Sequence, residues 1–259
     1  MFEESVLSFL KNRSKNIKRN VFLHVFGVAE PIVEEMIKSV MKEIEFSGLG
    51  SMEFSIFADE SVVDIKFSVF ASNEVFVNKA INDLKLKFAY VLKDNIFVFD
   101  KDTIESLVGR LLLENKKTIS FAESCSGGMI AAAVTNVSGS SSYFKCSVVA
   151  YSNNLKMKLL NVKEKTLADH GAVSGEIAKE MVEGVLRLSG SDYAFSTTGI
   201  AGPHGNTKEK PVGLVYVGFA DKNKTENFKF NFNGTRTEIR KKTVNTVLNL
   251  IARRLIAKR

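Results

Sequence analysis

Strand-like and helix-like segments alternate along this chain, and that alternation restricts its fold more than any other feature. Four segments in the first hundred residues have the composition of strands: 21–28, 52–57, 62–70 and 95–99. Apolar residues recur at helical spacing over 31–44 and 75–88. The order β-α-β-β-α-β predicts a ferredoxin-like arrangement. No cluster of titratable residues lies within it, so we expect an auxiliary role, structural or dimerising.

The remainder of the chain predicts an α/β domain. Strands are expected at 118–122, 147–151, 193–197, 214–219 and 227–232, with helices between them and a last helix from about residue 235. Only a short polar stretch separates the last two strands, which predicts a hairpin and therefore a mixed sheet. We expect a small α+β domain over residues 1–100 and a three-layer α/β domain over residues 101–259.

Size and composition exclude several classes of protein. A chain of 259 residues with 45% hydrophobic and 25% charged residues is typical of folded globular proteins. Cys125 and Cys146 form no CxxC pair, and the three histidines lack metal-ligand spacing, so we expect no metal site. No signal peptide and no apolar run of about 18 residues is visible, which favours a cytoplasmic protein with reduced thiols. Residues 1–19 are interpreted as a solvated tail or helix.

The positive charge is unevenly distributed. The net charge of +7 divides into −3 for residues 1–100 and +10 for residues 101–259. A basic domain indicates an anionic partner, which leaves a phosphorylated small molecule, a nucleic acid and a membrane surface as candidates.

A turn after the first strand of the second domain is the most informative segment. It carries Glu123, Ser124, Cys125 and Ser126 ahead of a Gly-Gly pair, and a helix of small residues follows. Unpaired backbone N–H groups at a helix start suit a phosphate or a developing oxyanion. The alternative is an ordinary tight turn in which the glycines allow close packing.

A tyrosine and a lysine follow the next strand. Because the carboxyl ends of neighbouring strands meet at one edge of a sheet, Tyr151 and Lys156 are expected to face Ser124. A lysine can deprotonate a serine when desolvation or nearby cations make its neutral form accessible, and a tyrosine between them could relay the proton or donate to the leaving group. A solvated tyrosine and a surface lysine are the alternatives.

Two later segments are candidates for ligand contacts. The loop at 196–213 leaves a strand end and contains four glycines and two of the three prolines, with His204 as the histidine nearest the predicted site. The last helix carries an apolar stripe and a basic face, which indicates packing on the sheet or, alternatively, a surface for DNA or a membrane. Arg236 and Arg240 lie at its start, where an arginine fork suits a phosphate.

Six blocks, taken together, resemble a known family. They are Ala-Glu-Ser-Cys-Ser-Gly-Gly (122–128), Gly-Ser-Ser-Ser-Tyr-Phe (139–144), Val-Val-Ala-Tyr-Ser-Asn (148–153), His-Gly-Ala-Val-Ser (170–174), Thr-Gly-Ile-Ala-Gly-Pro (198–203) and Lys-Pro-Val-Gly (210–213). In this order they resemble the C-terminal domain of the CinA (competence/damage-inducible protein) family, a nicotinamide mononucleotide amidohydrolase domain. Residues 20–100 resemble, more weakly, the middle domain of full-length CinA proteins. The family's usual first domain, a molybdopterin-binding-like module with ADP-ribose pyrophosphatase activity, has no counterpart, so we expect that activity to be missing.

The resemblance implies a reaction and a catalytic set. The reaction is deamidation of nicotinamide mononucleotide to nicotinate mononucleotide and ammonia, without a cofactor. Ser124 matches the family's nucleophile, and Tyr151 and Lys156 match the residues that assist proton transfer. Our hypothesis is that Lys156 deprotonates Ser124 either directly or through Tyr151. A homodimer is also implied.

The resemblance further implies a substrate-binding set. Its members are Cys125, Ser126, Gly127, Gly128, Thr198, Gly199, Gly202 and Arg236. We expect the backbone N–H groups of residues 126–128 to hold the oxyanion, and the 198–202 loop with Arg236 to hold the phosphate.

The sequence departs from the family at a few positions. Ser126 replaces the commoner threonine, and His204 and Asn206 stand where glycines are usual, which leaves the substrate preference open. Cys125 offers a thiol as an alternative nucleophile, although no histidine matches it. Hydrolysis of a different amide and non-enzymatic binding of nucleic acid remain as alternative functions.

Overall fold

The computed structural model describes residues 17–44, 50–59, 62–93 and 95–256. The chain divides into two compact units, Met1–Thr103 and Ile104–Arg259. Most of the segment interpreted as a solvated tail, residues 1–16, lies outside the described residues. In the part of the chain that is described, no helix is long and apolar enough to cross a membrane.

The first unit has the predicted β-α-β-β-α-β order. Its elements are β1 (Ile17–Phe26), α1 (Glu30–Glu43), β2 (Ser51–Asp59), β3 (Val62–Ala71), α2 (Glu74–Val91) and β4 (Ile96–Phe99). The strands form an antiparallel sheet in the order β2-β3-β1-β4. This confirms the ferredoxin-like prediction.

Residue alternation explains how this unit folds. Leu23 in β1 and Ile65 and Phe67 in β3 face the helices and are fully buried, together with Leu84 and Phe88 of α2. The rings of Phe67 and Phe88 lie 5.2 Å apart, so one aromatic pair links the sheet to α2. The core of this unit therefore lies between the sheet and its two helices.

The second unit is a mixed sheet packed against helices, as predicted. Its elements are α3 (Ile104–Glu114), β5 (Ile119–Glu123), α4 (Met129–Thr135), β6 (Phe144–Val149), α5 (Asn153–Leu160), α6 (Glu164–His170), α7 (Gly175–Ser189), β7 (Tyr193–Gly199), β8 (Leu214–Asp221), β9 (Thr225–Asn231) and α8 (Arg236–Ile256). The sheet order is β6-β5-β7-β8-β9. β5 pairs in parallel with β6 and β7, whereas β8 is antiparallel to β7 and β9, which confirms the hairpin.

Three strands, β1, β6 and β9, begin and end earlier in the chain than predicted, and β6 matters most for the site. The expected strand at 147–151 is β6, which pairs with β5 from Phe144 and ends at Val149. The chain leaves the sheet there because Ser152 caps α5, and its hydroxyl accepts a hydrogen bond from the N–H of Leu155 at 3.3 Å. Tyr151 therefore lies in the connection between β6 and α5.

Candidate active site

Three parallel strands bring the predicted site segments to one edge of the second sheet. Ser124 directly follows β5, Tyr151 follows β6 by two residues, and the loop at 200–213 follows β7. Since β5 lies between β6 and β7, the serine is central. This is the edge at which open α/β sheets commonly hold their ligands.

Ser124 and Lys156 are in direct contact. The Nζ atom of Lys156 lies 3.1 Å from the Oγ atom of Ser124. Ser124 is half-buried, whereas Lys156, in the first turn of α5, is only 1% exposed. The lysine is therefore not the surface residue that the sequence left as an alternative.

The surroundings of Lys156 make its neutral form more accessible than that of an exposed lysine. Its Nζ donates to the carbonyl oxygens of Ala150 (2.9 Å) and Tyr151 (3.3 Å), and no described acidic side chain forms an ion pair with it. Burial lowers the pKa of Lys156 below the ordinary value of 10.5. A neutral amine has two N–H groups for the two carbonyls and one lone pair for the Ser124 hydroxyl. The geometry thus suits a general base.

Tyr151 lies beside this pair but does not connect it. Its side chain is 58% exposed, and its hydroxyl accepts a hydrogen bond from Nη2 of Arg236 at 2.9 Å. This geometry supports the direct route from Lys156 to Ser124 over the route through Tyr151, because the lysine reaches the serine and the arginine holds the tyrosine hydroxyl. The tyrosine instead supplies its carbonyl oxygen to Lys156.

The side chains of Cys125 and Ser126 point into the protein interior. Burial raises the pKa of the Cys125 thiol to about 11, which leaves it protonated at neutral pH and argues against a thiolate nucleophile. Ser126 is fully buried, and its Oγ atom lies 2.7 Å from Oγ1 of Thr197. Neither side chain is therefore exposed to a substrate.

The two glycines of the turn adopt left-handed backbone conformations. Their φ angles are +60° at Gly127 and +91° at Gly128, a region that side-chain-bearing residues rarely occupy. The N–H of Gly127 donates to the carbonyl oxygen of Ser124 (3.1 Å), and that of Gly128 donates to the carboxylate of Glu123 (2.9 Å). Two of the three N–H groups expected to hold the oxyanion therefore already have acceptors inside the turn.

The structure places Thr198 and Gly199, which were predicted to lie in a loop, at the end of β7, where they are engaged internally. The hydroxyl of Thr198 donates to the carbonyl oxygen of Ala172 at 2.7 Å. A side chain at Gly199 would place its Cβ atom 2.7 Å from the carbonyl oxygen of Leu214, so this glycine allows β7 to pack on β8. Gly202 contributes its carbonyl oxygen, which accepts from Nη1 of Arg236 at 2.9 Å. Arg236 therefore bridges the carbonyl oxygen of Gly202 and the hydroxyl of Tyr151.

Two residues that the sequence left without a role contribute to the site. Thr197 holds the turn, because its carbonyl oxygen accepts from the N–H of Ser124 at 3.0 Å. Glu123 is fully buried, and its carboxylate accepts four hydrogen bonds. An acidic residue at the end of a short, largely apolar strand was the available signal, because a buried charge requires partners. Among the described residues, no group of three His, Cys, Asp or Glu side chains is placed to hold a metal ion.

Comparisons with known proteins agree on one family. The CinA C-terminal domain matches residues 101–255. A CinA-like protein of Endomicrobium trichonymphae is 66% identical over 258 residues, covering 100% of this chain and 60% of that protein. A putative competence-damage inducible protein of Thermoanaerobacter pseudethanolicus is 38% identical over 256 residues, with 99% and 60% covered. The chain thus spans about 60% of the length of these relatives.

Solved structures give the same answer for the second unit. The competence/damage inducible protein CihA from Agrobacterium tumefaciens has a TM-score of 0.55 and 39% identity, covering 57% of this chain and 92% of its own. A CinA superfamily protein from Klebsiella pneumoniae has a TM-score of 0.57 and 29% identity, covering 60% and 98%. The chain therefore belongs to the CinA family, and residues 101–255 are its CinA C-terminal domain.

Proposed function

We propose that this protein hydrolyses the carboxamide of nicotinamide mononucleotide and releases nicotinate mononucleotide and ammonia. The observation that carries the proposal is the 3.1 Å contact between Ser124 Oγ and a buried Lys156 Nζ whose pKa is lowered by burial. A serine becomes a nucleophile when an adjacent base removes its proton, and a desolvated lysine is such a base. Membership of the CinA family supports the same choice.

The reaction follows from this pair. Lys156 takes the hydroxyl proton as Ser124 Oγ attacks the carboxamide carbon, which forms a tetrahedral oxyanion. The ammonium of Lys156 then returns a proton to the amide nitrogen, and ammonia leaves as the acyl-serine forms. The neutral lysine next takes a proton from water as hydroxide attacks the ester. Lys156 returns this proton to Ser124 Oγ, and the acid product becomes the carboxylate by giving its own proton to the solvent.

The remaining groups are assigned to binding. The N–H groups of Gly127 and Gly128 have acceptors inside the turn, and the backbone N–H of Ser126 contacts the Cys125 thiol, so the oxyanion donors stay a prediction from the sequence. Arg236 has five N–H donors in its guanidinium, and its two described contacts are with Gly202 and Tyr151, so donors remain for the phosphate. The predicted homodimer remains a prediction.

Two of the basic residues of α8 are engaged within the domain, which weakens the nucleic-acid alternative, although Lys241 and Arg253 are exposed. Arg254 forms an ion pair with Glu226 and stacks on the ring of Phe219 at 3.6 Å. Lys242 is buried and donates to the carbonyl oxygen of Asn233. A helix that binds nucleic acid would present these charges to the phosphate backbone instead.

The test is ammonia release from nicotinamide mononucleotide by the purified protein. We expect turnover that falls below detection in Ser124→Ala and in Lys156→Met, which keeps the length of the side chain without the amine. Tyr151→Phe distinguishes the two proton routes: it should keep more than about a tenth of the wild-type kcat, since a general acid–base relay contributes roughly 100-fold or more.

Two results would contradict the proposal. One is a wild-type protein that releases no ammonia and instead binds DNA with an affinity that falls steeply with salt. The other is full turnover by folded Lys156→Met. Parallel assays with nicotinamide riboside and free nicotinamide test whether the phosphate is required.

A further inference from the structure

Glu123 is a buried charge that the proposed mechanism does not use. It is the last residue of β5, is fully buried and directly precedes Ser124. Its carboxylate accepts from the N–H groups of Gly128 (2.9 Å), Ile130 (3.1 Å) and Ala131 (3.0 Å). The fourth donor is the hydroxyl of Ser147 in β6, at 2.9 Å. All four donors are neutral, so no ion pair explains why a charge is buried here.

The carboxylate of Glu123 caps the N-terminus of α4. The N-cap position of α4 is Gly128, which has no side chain to accept the first N–H groups of the helix. Glu123 supplies those acceptors and places a negative charge at the positive end of the helix dipole. The start of α4 is therefore occupied by the chain itself.

Glu123 also joins the turn of the nucleophile to the strand that leads to the lysine. The hydroxyl of Ser147 connects the carboxylate of Glu123 to β6. The backbone carbonyl oxygen of Glu123 accepts a hydrogen bond from the N–H of Ala150 at 2.9 Å. Ala150 is the residue whose carbonyl oxygen receives Lys156 Nζ at 2.9 Å. One residue thus fixes the backbone on the Ser124 side and on the Lys156 side of the catalytic contact.

We propose that Glu123 is the positioning residue that holds Ser124 and Lys156 in contact, through α4 on one side and through Ser147 on the other. It touches no reacting atom, so its loss should reduce kcat and leave KM largely unchanged. The proposal rests on the proposed function for the identity of the reaction. It does not depend on the substrate, because the reactivity of Ser124 can be measured with a fluorophosphonate probe that labels activated serines.

The experiment compares three variants of the full-length protein by labelling rate per folded molecule. Glu123→Gln keeps the volume but replaces one acceptor with a donor that faces other donors, and we expect labelling to slow by about 100-fold, the cost of a misplacement of roughly 1 Å. Ser147→Ala leaves the carboxylate with its three N–H donors and should slow labelling about fivefold, because only the link to β6 is lost. Ser147→Thr should restore the rate.

Ser120→Ala is the matched control. Ser120 lies near the other end of β5, is as fully buried as Glu123, and its hydroxyl contacts those of Ser189 and Ser191 at 2.9 and 2.8 Å. It should lose stability as Ser147→Ala does and yet label at the wild-type rate. Circular dichroism and thermal unfolding identify a temperature at which every variant is folded, and labelling is measured at that temperature.

The outcomes separate the two proposals. Folded Glu123→Gln that labels within about twofold of wild type would overturn the positioning role. If Glu123→Gln does not fold, Ser147→Ala decides, and a wild-type labelling rate for it would overturn the link to β6. A wild-type protein that labels at Ser124 but leaves nicotinamide mononucleotide unchanged contradicts the proposed function alone.

Discussion

Gly184 in α7 should control the position of Lys156, although the two residues lie in different helices. A Cβ atom at Gly184 would lie 2.1 Å from the carbonyl oxygen of Leu160 and 2.7 Å from its Cα atom. Leu160 is the last residue of α5 and lies one turn beyond Lys156. Because the obstacle is backbone, Gly184→Ala can be accommodated only if the two helices separate.

The size of the effect follows from these distances. Real Cβ atoms essentially never approach another atom within 3.0 Å, so α5 and α7 must separate by about 1 Å, an overpacking that costs roughly 1–3 kcal/mol. Alanine is more favourable than glycine in a helix by up to about 1 kcal/mol, which offsets part of this cost. We therefore expect a net loss of roughly 1–2 kcal/mol in the free energy of unfolding. The same shift would stretch the contact between Lys156 and Ser124 from 3.1 Å to about 4 Å, and labelling of Ser124 should slow by up to about 100-fold.

Gly190→Ala is the matched control for this prediction. Gly190 ends α7 with a φ of +60°, and a Cβ atom there would meet nothing within 4 Å. An alanine in that conformation costs roughly 1–2 kcal/mol without pushing on α5. Urea unfolding should therefore give similar losses for the two variants, and fluorophosphonate labelling should slow only in Gly184→Ala. Equal labelling rates at equal stability would refute the reasoning.

Two further predictions concern charge. Burial lowers the pKa of Lys156 below 10.5, so between its folded and unfolded pKa values the unfolded chain binds more protons and stability rises with pH. Relative to Lys156→Met, wild type should gain free energy of unfolding as the pH rises toward 10.5, and a pH-independent difference in urea titrations would contradict this. Arg254→Ala should cost about 1–3 kcal/mol, since Arg254 stacks on Phe219 and pairs with Glu226, whereas exposed Arg253→Ala should cost under about 0.5 kcal/mol in the same measurement.

The fold followed from local patterns, and the exceptions have physical reasons. Alternation in β1 and helical spacing in α1 and α2 each report a single buried face, which is why the order of elements in the first unit was predictable. The bounds of β6 were not, because the strand is defined by its pairing with β5 and by the cap at Ser152. Such pairing depends on residues distant in sequence.

The candidate site was also predictable only in part. The contact between Ser124 and Lys156 was predictable, because two parallel strands bring their following residues to one edge. The orientation of the Tyr151 hydroxyl was not, because it depends on Arg236, which lies 85 positions later in the chain. The role of Glu123 also depends on a partner in another strand, Ser147.

The last helix shows how the basic charge of this domain and the candidate site are related. Arg240 donates to the carbonyl oxygen of Ser126 at 2.9 Å, and Arg236 donates to Gly202 and to Tyr151. These acceptors belong to the turn after β5, the loop after β7 and the connection after β6, so the start of α8 joins the three segments that surround Ser124. A cation is suited to this position because the backbone oxygens at these turns need donors, and an arginine offers several in a fixed geometry. Part of the positive charge that indicated an external anionic partner therefore serves to assemble the site.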